Sequence, residues 1–440
     1  MNPLQVSASM LKVPCAALSV PNVLYNGKVA PYQAGSTWDL RDVKLTQTRS
    51  DWELKIYTLV QEYKLDDTKS HPSGFNPKLF WKSHATAQRY KAELENIINK
   101  YDIGKLQWSG HLDLDSVDFD DINLGMSKAK KSGANCVLLI LKKKDVSAYS
   151  IFKDLADRCY GLQAICLTED ANWQKSKKEH RPLQGYFGNI AMKLNLKMTG
   201  VNQAIGQLDA LYADTLVLGA HVTHPSSGAI SGCPSIAAIV GSVDNWGRYR
   251  GSMRLQDREN KEVSNLISQR YSSAFLANIR QMIDEVVSMV EERIRDWSET
   301  NKKKLPTNIL YYRDGVSEGQ YAQVKHLELE KIRTAFNNVA TGGETFNLIA
   351  IVAAKRHHTR FYPDAKKDMD RTDKDAEANC QPGTLVDQVV TSPFFTDFYL
   401  QSHKGLEGTA RPTHYFVLEN ESDWGVKTIV EHVSLHTSTV

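Results

Sequence analysis

Asp314 closes a short run, Asn308 to Tyr312 (NILYY), whose alternation of β-branched and aromatic residues predicts a buried strand. Gly315 follows it and lets the backbone turn sharply, and Ser317 with Gln320 three residues on has the pattern of a capping box. A carboxylate at the C-terminal end of a central strand is where α/β folds carry chemistry. Asp314 has plainer uses as well, pairing with Arg313 or capping the turn, and local sequence leaves these open. Two further groups have chemical potential. Tyr149 and Lys153 stand four apart, as do Lys193 and Lys197, so each pair shares a helix face. Facing helices of this kind would offer an aromatic plane and up to three ammonium groups to one small volume, which suits a terminal phosphate with its base stacked on the tyrosine. Solvated surface lysines are the alternative. Lys355 to Arg360 (KRHHTR) is the third group, with five of six side chains basic or titratable; it reads equally as a solvated face.

The elements that must position these residues follow from periodicity. Trp52 to Val60 is strand-like, and Ala85 to Tyr101 is helical with Tyr90, Leu94, Ile97 and Ile98 on one face. Asn135 to Leu141 (NCVLLIL) predicts a buried strand, Ser147 to Arg158 a helix, Leu162 to Leu167 a strand and Asn189 to Met198 a helix. Such alternation argues for a parallel Rossmann-like sheet. Downstream, Asp214 to Ala220 (DTLVLGA) is a continuous apolar run ended by His221-Val222-Thr223-His224-Pro225, and Ser235 to Val243 and Arg248 to Gln256 read as the next strands. A long helix is expected from about Glu262 to Trp297 on an apolar stripe, then a buried strand from Phe346 to Ala353, a polar loop from Pro363 to Asn379 and a helix from Val426 to His436.

Five segments taken together, LVLGAHVTHP, PSIAAIVGSVD, ILYYRDGVSEGQ, AKRHHTRFYP and GTARPTHYFVL, closely resemble the PIWI domain of eukaryotic, fungal-type Argonaute proteins over most of residues 200–423. DVSAYSIFK and NIAMKLNLKMTGVNQ resemble the MID segments of that family, and STWDLRDVKL resembles the linker leading into MID. The resemblance implies an α/β chain: a linker over residues 1–50, a Rossmann-like MID domain over 51–205 and a ribonuclease H-like PIWI domain over 206–440, incomplete at its C-terminal end. The helix Val426 to His436 would then have few long-range partners.

The family binds the 5′-phosphate of a guide RNA in MID, and Tyr149, Lys153, Lys193 and Lys197 fall on its tyrosine and lysines. A glutamine that the family places just before the position of Cys166 is Ile165 here, and Gln163, two residues earlier on the same strand face, is its nearest substitute. Lys355, Arg356, Arg360, His403 and Arg411 fall on segments that touch the guide backbone. Family members that cut RNA hold Mg²⁺ with three carboxylates and a further aspartate or histidine. Asp314 matches one of them. His221 stands at the first aspartate position, and an imidazole adds no negative charge there and ligates Mg²⁺ poorly. Glu262 matches the glutamate, with Glu259 as the alternative, and the fourth ligand falls beyond Val440.

The resemblance therefore points to an RNA-silencing factor that binds guide and target RNA without slicing. A Mg²⁺- or Mn²⁺-dependent endoribonuclease with a degenerate site and a non-functional paralogue are the alternatives. Argonaute-associated silencing proteins are the expected protein partners. Composition fits a globular protein: 24% charged and 41% hydrophobic residues, with a net charge of +3 too small to announce nucleic acid by itself. The six cysteines form no CxxC pair, which fits a reducing compartment, and no run approaches the ~20 apolar residues of a membrane span. The expected location is the cytosol or nucleus, away from membranes.

Overall fold

The computed structural model describes the chain apart from residues 1–6, 8, 20, 27, 30–31, 34–36, 39–42, 62–82, 169–183, 207–213, 226–228, 230–231, 245–246, 257–281, 366–367, 370–378, 404, 406–407 and 438–440. Two compact units form, one from residues 1–24, 28–41 and 203–440, the other from residues 25–27 and 42–202.

The unit built on residues 42–202 has a four-stranded sheet of β1 (Glu53–Gln61), β2 (Lys105–Leu114), β3 (Cys136–Leu141) and β4 (Gln163–Thr168). The order is β2-β1-β3-β4 and every pairing is parallel. All six residues of β3 are buried, the unbroken apolar pattern of a strand covered on both faces. Its helices are α1 (Ser83–Tyr101), α2 (Phe119–Lys131), α3 (Val146–Asp154) and α4 (Gln184–Lys197). Asp118 caps α2 by accepting from the Asp121 amide at 3.0 Å, and Ile122, Met126 and Ala129 bury one face against Leu59 and Val137. α3 runs on into a π turn, Leu155–Tyr160, which Gly161 ends in the left-handed region at φ 60°.

The other unit carries a nine-stranded sheet. Its strands are a two-residue segment Ala16–Ala17, β5 (Thr215–Thr223), β6 (Ser235–Ser242), β7 (Tyr249–Gln256), β8 (Asn308–Asp314), β9 (Asn347–Ala354), β10 (Thr384–Val386), β11 (Asp397–Gln401) and β12 (Thr413–Asn420). The order is Ala16–Ala17, β10, β11, β12, β9, β8, β5, β6, β7. β5, β8 and β9 are parallel to one another at the centre, and every other pairing is antiparallel. A mixed sheet of this kind, with helices packed on it, fits a ribonuclease H-like α/β fold.

Alternation sends the two sets of β5 and β8 side chains to opposite faces. Leu216, Leu218, Ile309 and Tyr311 pack with α5 (Val286–Thr300) and α6 (Glu330–Val339); Val217 and Leu310 pack on the other side with Phe398, Leu400 and Tyr415. The helix expected from about Glu262 to Trp297 is corrected in part: Met282 to Glu285 form a bend and turn, the helix runs Val286–Thr300, and 262–281 lies outside the described residues. A second expectation is overturned. α7 (Val426–Thr437) is not short of partners: Ile429, Val430 and Val433 are buried in the cluster with Leu385, Phe398 and Tyr415. Residues four apart on one helix turn give α7 an apolar stripe, and the strands already present suffice to cover it.

Candidate nucleic-acid interface

In the unit of residues 42–202, the Asp145 side chain caps α3 by accepting from the Ala148 amide at 2.9 Å. This start fixes the turn that carries Tyr149, which is exposed, and Lys153 one turn later. The Lys153 ammonium lies 3.5 Å from a carboxylate oxygen of Asp157. On α4, Lys193 is exposed and Lys197 is half-buried, with its Nζ donating to Gln163 Oε1 at 3.4 Å. Burial lowers the Lys197 pKa, and the Lys153 ammonium lowers it further while Asp157 opposes both. Lys153, Lys197 and Gln163 are thus brought together, two cations against the single carboxylate of Asp157. Such a cluster gains from an incoming anion, because an oxyanion relieves the repulsion and accepts from both ammonium groups.

Ile165, at the position where the resemblance expects a glutamine, is buried, whereas Gln163 at the strand start reaches Lys197. Cys166 sits nearby with its thiol pushed up to about 11 by burial and by Asp145, against the pull of Lys153, so it is a neutral group at pH 7. Asp157 is the residue that sequence reasoning passed over. Its i,i+4 spacing from Lys153 was the available signal.

On the nine-stranded sheet, β5 and β8 run in parallel with Ala220 beside Arg313, so the next residues, His221 within β5 and Asp314 at the end of β8, come side by side. His221 Nδ1 lies 3.2 Å from Asp314 Oδ2, close enough for an ion pair but not aligned as a hydrogen bond. Gly315 makes this approach possible. Its φ is 82°, and a Cβ there would sit 3.3 Å from both Cε1 and Nδ1 of His221. His224, further along, has its Nδ1 2.8 Å from Ser235 Oγ.

Arg313 does not pair with the Asp314 carboxylate. It turns into the core, where Nε and Nη2 donate to the Glu328 carboxylate at 2.9 and 3.1 Å, and its Nη1 donates to the backbone carbonyl of Asp314. Tyr311 Oη and the Ile283 amide add bonds to Glu328 of 2.8 and 3.0 Å. A strand residue flanked by apolar neighbours points inward by parity, so a buried arginine needs a buried acid.

His221 and Asp314 offer one nitrogen and one carboxylate. Glu262 and Glu259 lie outside the described residues, and no group of three or more His, Cys, Asp or Glu able to hold a metal ion occurs among the described residues. That donor set does not fit a pair of hard Mg²⁺ ions.

The loop after β9 and the loop between β11 and β12, at the same sheet end as Asp314, carry the other basic residues singled out from the sequence. Lys355 and Arg356 are exposed, as are His403 and Arg411. Burial lowers the His403 pKa, with the Lys355 ammonium adding to the shift, which places these two side chains in one another's field. Arg360 is half-buried and folded back, its Nη1 donating to the carbonyls of His357 and Thr359 at 3.1 and 2.7 Å.

The family model of the Piwi domain matches residues 136–439. Protein argonaute 12 of Oryza sativa subsp. japonica is 34% identical over 316 residues, covering 68% of this chain and 27% of that protein. Protein argonaute 10 of Arabidopsis thaliana is 32% identical over 320 residues, covering 70% and 30%. The chain thus spans less than a third of the length of these curated relatives. Among solved structures, the C-terminal lobe of a budding yeast Argonaute superposes with a TM-score of 0.74 at 23% identity, covering 95% of this chain and 82% of that one. Kluyveromyces polysporus Argonaute with a guide RNA gives a TM-score of 0.74 at 22% identity, covering 97% and 49%.

Proposed function

The chain belongs to the Piwi-domain family, with Argonaute proteins as its relatives, and from that premise we propose that it binds the 5′-phosphate of a small guide RNA and holds the guide with a complementary target RNA without cutting the target. The observation that carries the reading is the meeting of Lys153, Lys197 and Gln163 beside the exposed ring of Tyr149. A terminal phosphate carries about −1.5 to −2 charges and three acceptor oxygens, the complement of two ammonium groups and an amide donor. As it docks, Lys197 regains a full partner for its charge, and the first base stacks on Tyr149. Lys193, exposed one turn earlier on α4, is the third ammonium group assigned to this phosphate in the same reading. In the other unit, Lys355, Arg356, His403 and Arg411 are proposed to contact guide phosphates as points of charge and not as readers of sequence, with Arg360 bracing the loop that carries the first two.

The non-cutting half of the proposal rests on the His221–Asp314 pair. Two-ion hydrolysis depends on carboxylates that both attract and bridge the metals. Here an imidazole stands 3.2 Å from the one carboxylate, leaving no second negative group beside it among the described residues. In this reading the site grips RNA and acts in RNA-mediated silencing by occupying its target.

Fluorescence anisotropy with matched 5′-phosphate and 5′-hydroxyl RNAs tests the first half. Each charge-assisted bond lost by Lys153→Ala or Lys197→Ala is worth about 1.5–3 kcal/mol, roughly ten- to a hundredfold in affinity. Equal binding of the two RNAs by the unmodified chain would overturn it. Incubation of a guide-paired target with Mg²⁺, and separately Mn²⁺, tests the second half, and a single product cut opposite the guide's centre would refute it.

A further inference from the structure

Beneath the two basic loops lies a stack of rings to which nothing above gives a role. β11 and β12 set Tyr399 beside His414, and the two rings stack with centroids 4.4 Å apart and 17° between planes. His414 Nε2 is 2.7 Å from Asp397 Oδ2 in a buried pair, and the other Asp397 oxygen accepts from the Ser392 amide at 2.8 Å. His357, just past the end of β9, closes the stack edge-on, 5.3 Å from Tyr399 and 6.3 Å from His414.

The link between loops is made by the other side of that ring. His357 Nε2 lies 3.0 Å from the backbone carbonyl of Pro412, the residue after Arg411. A carbonyl only accepts, so Nε2 carries the proton and donates. Nδ1 is buried with no hydrogen-bond partner, which suits the neutral Nε2–H tautomer. Burial lowers the His357 pKa, the bond to the Pro412 carbonyl opposes that shift, and His414, Arg360 and His358 add smaller downward pushes. The ring of His357 therefore ties one loop to the other, while Arg360, bonded to the His357 and Thr359 carbonyls, braces the first loop from within.

We propose that His357 is a positioning residue that holds Lys355, Arg356 and Arg411 in one fixed arrangement, so that an RNA strand meets a single row of cations and not two independent loops. The geometry separates this from core packing. A phenyl ring keeps the edge-on contact with Tyr399, but only a hydrogen-bond donor can bond the Pro412 carbonyl. The proposal rests on the reading that these loops contact RNA phosphates, and it adds which buried residue sets their spacing.

The test compares His357→Phe, which keeps the ring and removes the donor, with His357→Gln, which returns an amide donor. Affinity for a 5′-phosphorylated single-stranded RNA is measured as a function of salt. The slope of log K against log salt counts phosphate contacts at about 0.7 each for single strands, so losing the arrangement flattens it by roughly 0.7–1.4. His357→Phe should show that flattening, His357→Gln should recover most of it, and the preference for 5′-phosphate over 5′-hydroxyl should stay unchanged in both. Thermal unfolding of each variant identifies loss of folded protein, which lowers the bound amplitude and leaves the slope alone. An unchanged slope in folded His357→Phe overturns the positioning role while the functional reading stands. A flattened slope in which His357→Gln matches His357→Phe also overturns it, since returning a donor then restores nothing. Absence of any RNA binding by the unmodified chain takes down both.

Discussion

Replacing Glu328 by leucine should cost about 3–5 kcal/mol, the range for breaking a buried ion pair from one side. Glu328 is 0% exposed and Arg313 is 1% exposed, so neither group has water to fall back on. The change strips four bonds at once: two from the Arg313 guanidinium, at 2.9 and 3.1 Å, one from Tyr311 at 2.8 Å and one from the Ile283 amide at 3.0 Å. Burial opposes the charge on Arg313, and Glu328 is what overrides it. The double change Arg313→Met, Glu328→Leu removes the stranded cation and should recover most of the loss, because apolar replacements of a whole buried pair are often neutral or better. Native-state amide exchange at Leu310 to Tyr312 reads the opening energy of this sheet without reference to the other unit. The single change should speed exchange there by about two to three and a half decades, and the double change by far less. A single change that costs under about 1 kcal/mol, or a double change as costly as the single, would refute the reasoning.

His432 stacks on Trp424 at 4.0 Å, and burial pushes its pKa down from 6.5 to about 4. The unfolded chain takes the proton first, so this contribution is whole above pH 6.5 and is lost as pH falls toward 4, by about 3 kcal/mol in all; urea unfolding across that window should show the slope, and His432→Phe should flatten it. Gly315→Ala meets both a φ of 82° and the His221 ring at 3.3 Å, and should cost about 1–3 kcal/mol. In a His221→Ala background the steric part disappears and only the backbone part remains, which a double-mutant cycle by chemical denaturation resolves. Asp145→Ala removes the cap of α3 and should cost about 1 kcal/mol, with faster exchange at Ala148 and Tyr149.

Strands in both sheets were legible because alternation and apolar runs are local signals: Asn308–Asp314, Thr215–Thr223 and Cys136–Leu141 each stand within a residue or two of their predicted bounds, except that the apolar run into His221 continues as strand to Thr223. β2 was not anticipated, since an edge strand with exposed and half-buried residues along most of its length has little alternation to read. α2 was missed although its signals are present: an Asp cap, acids in the first turn, lysines in the last, and Ile122, Met126 and Ala129 on one face. The partnership of Arg313 with Glu328 was out of reach, because the acid lies on a π turn fifteen residues away and only the folded core reveals which acid an inward arginine meets. The lysines of α3 and α4 could be paired within each helix from spacing alone. That Lys197 reaches Gln163, and that His357 reaches Pro412, depends on tertiary approach.

The nine-stranded sheet ends in Ala16–Ala17, which pairs with Leu385 and Thr384. Roughly 370 residues of chain separate the two partners. During synthesis at about 5–20 residues per second, Ala16–Ala17 waits on the order of 20 to 70 s for the strand it pairs with. The parallel sheet of residues 53–168 has all its strands out of the ribosome long before then and can close by itself. β10 meets a different schedule: from the moment it emerges, an edge partner already exists at the other end of the same chain. Loop closure over that distance costs only a few kcal/mol more than over a short one, since the entropy grows with the logarithm of length. The order of synthesis thus gives β10 a partner from its own chain before a neighbouring chain can pair with it. Removing residues 1–24 would leave Thr384–Val386 as an open edge on every molecule made, and self-association on size-exclusion chromatography would be the symptom.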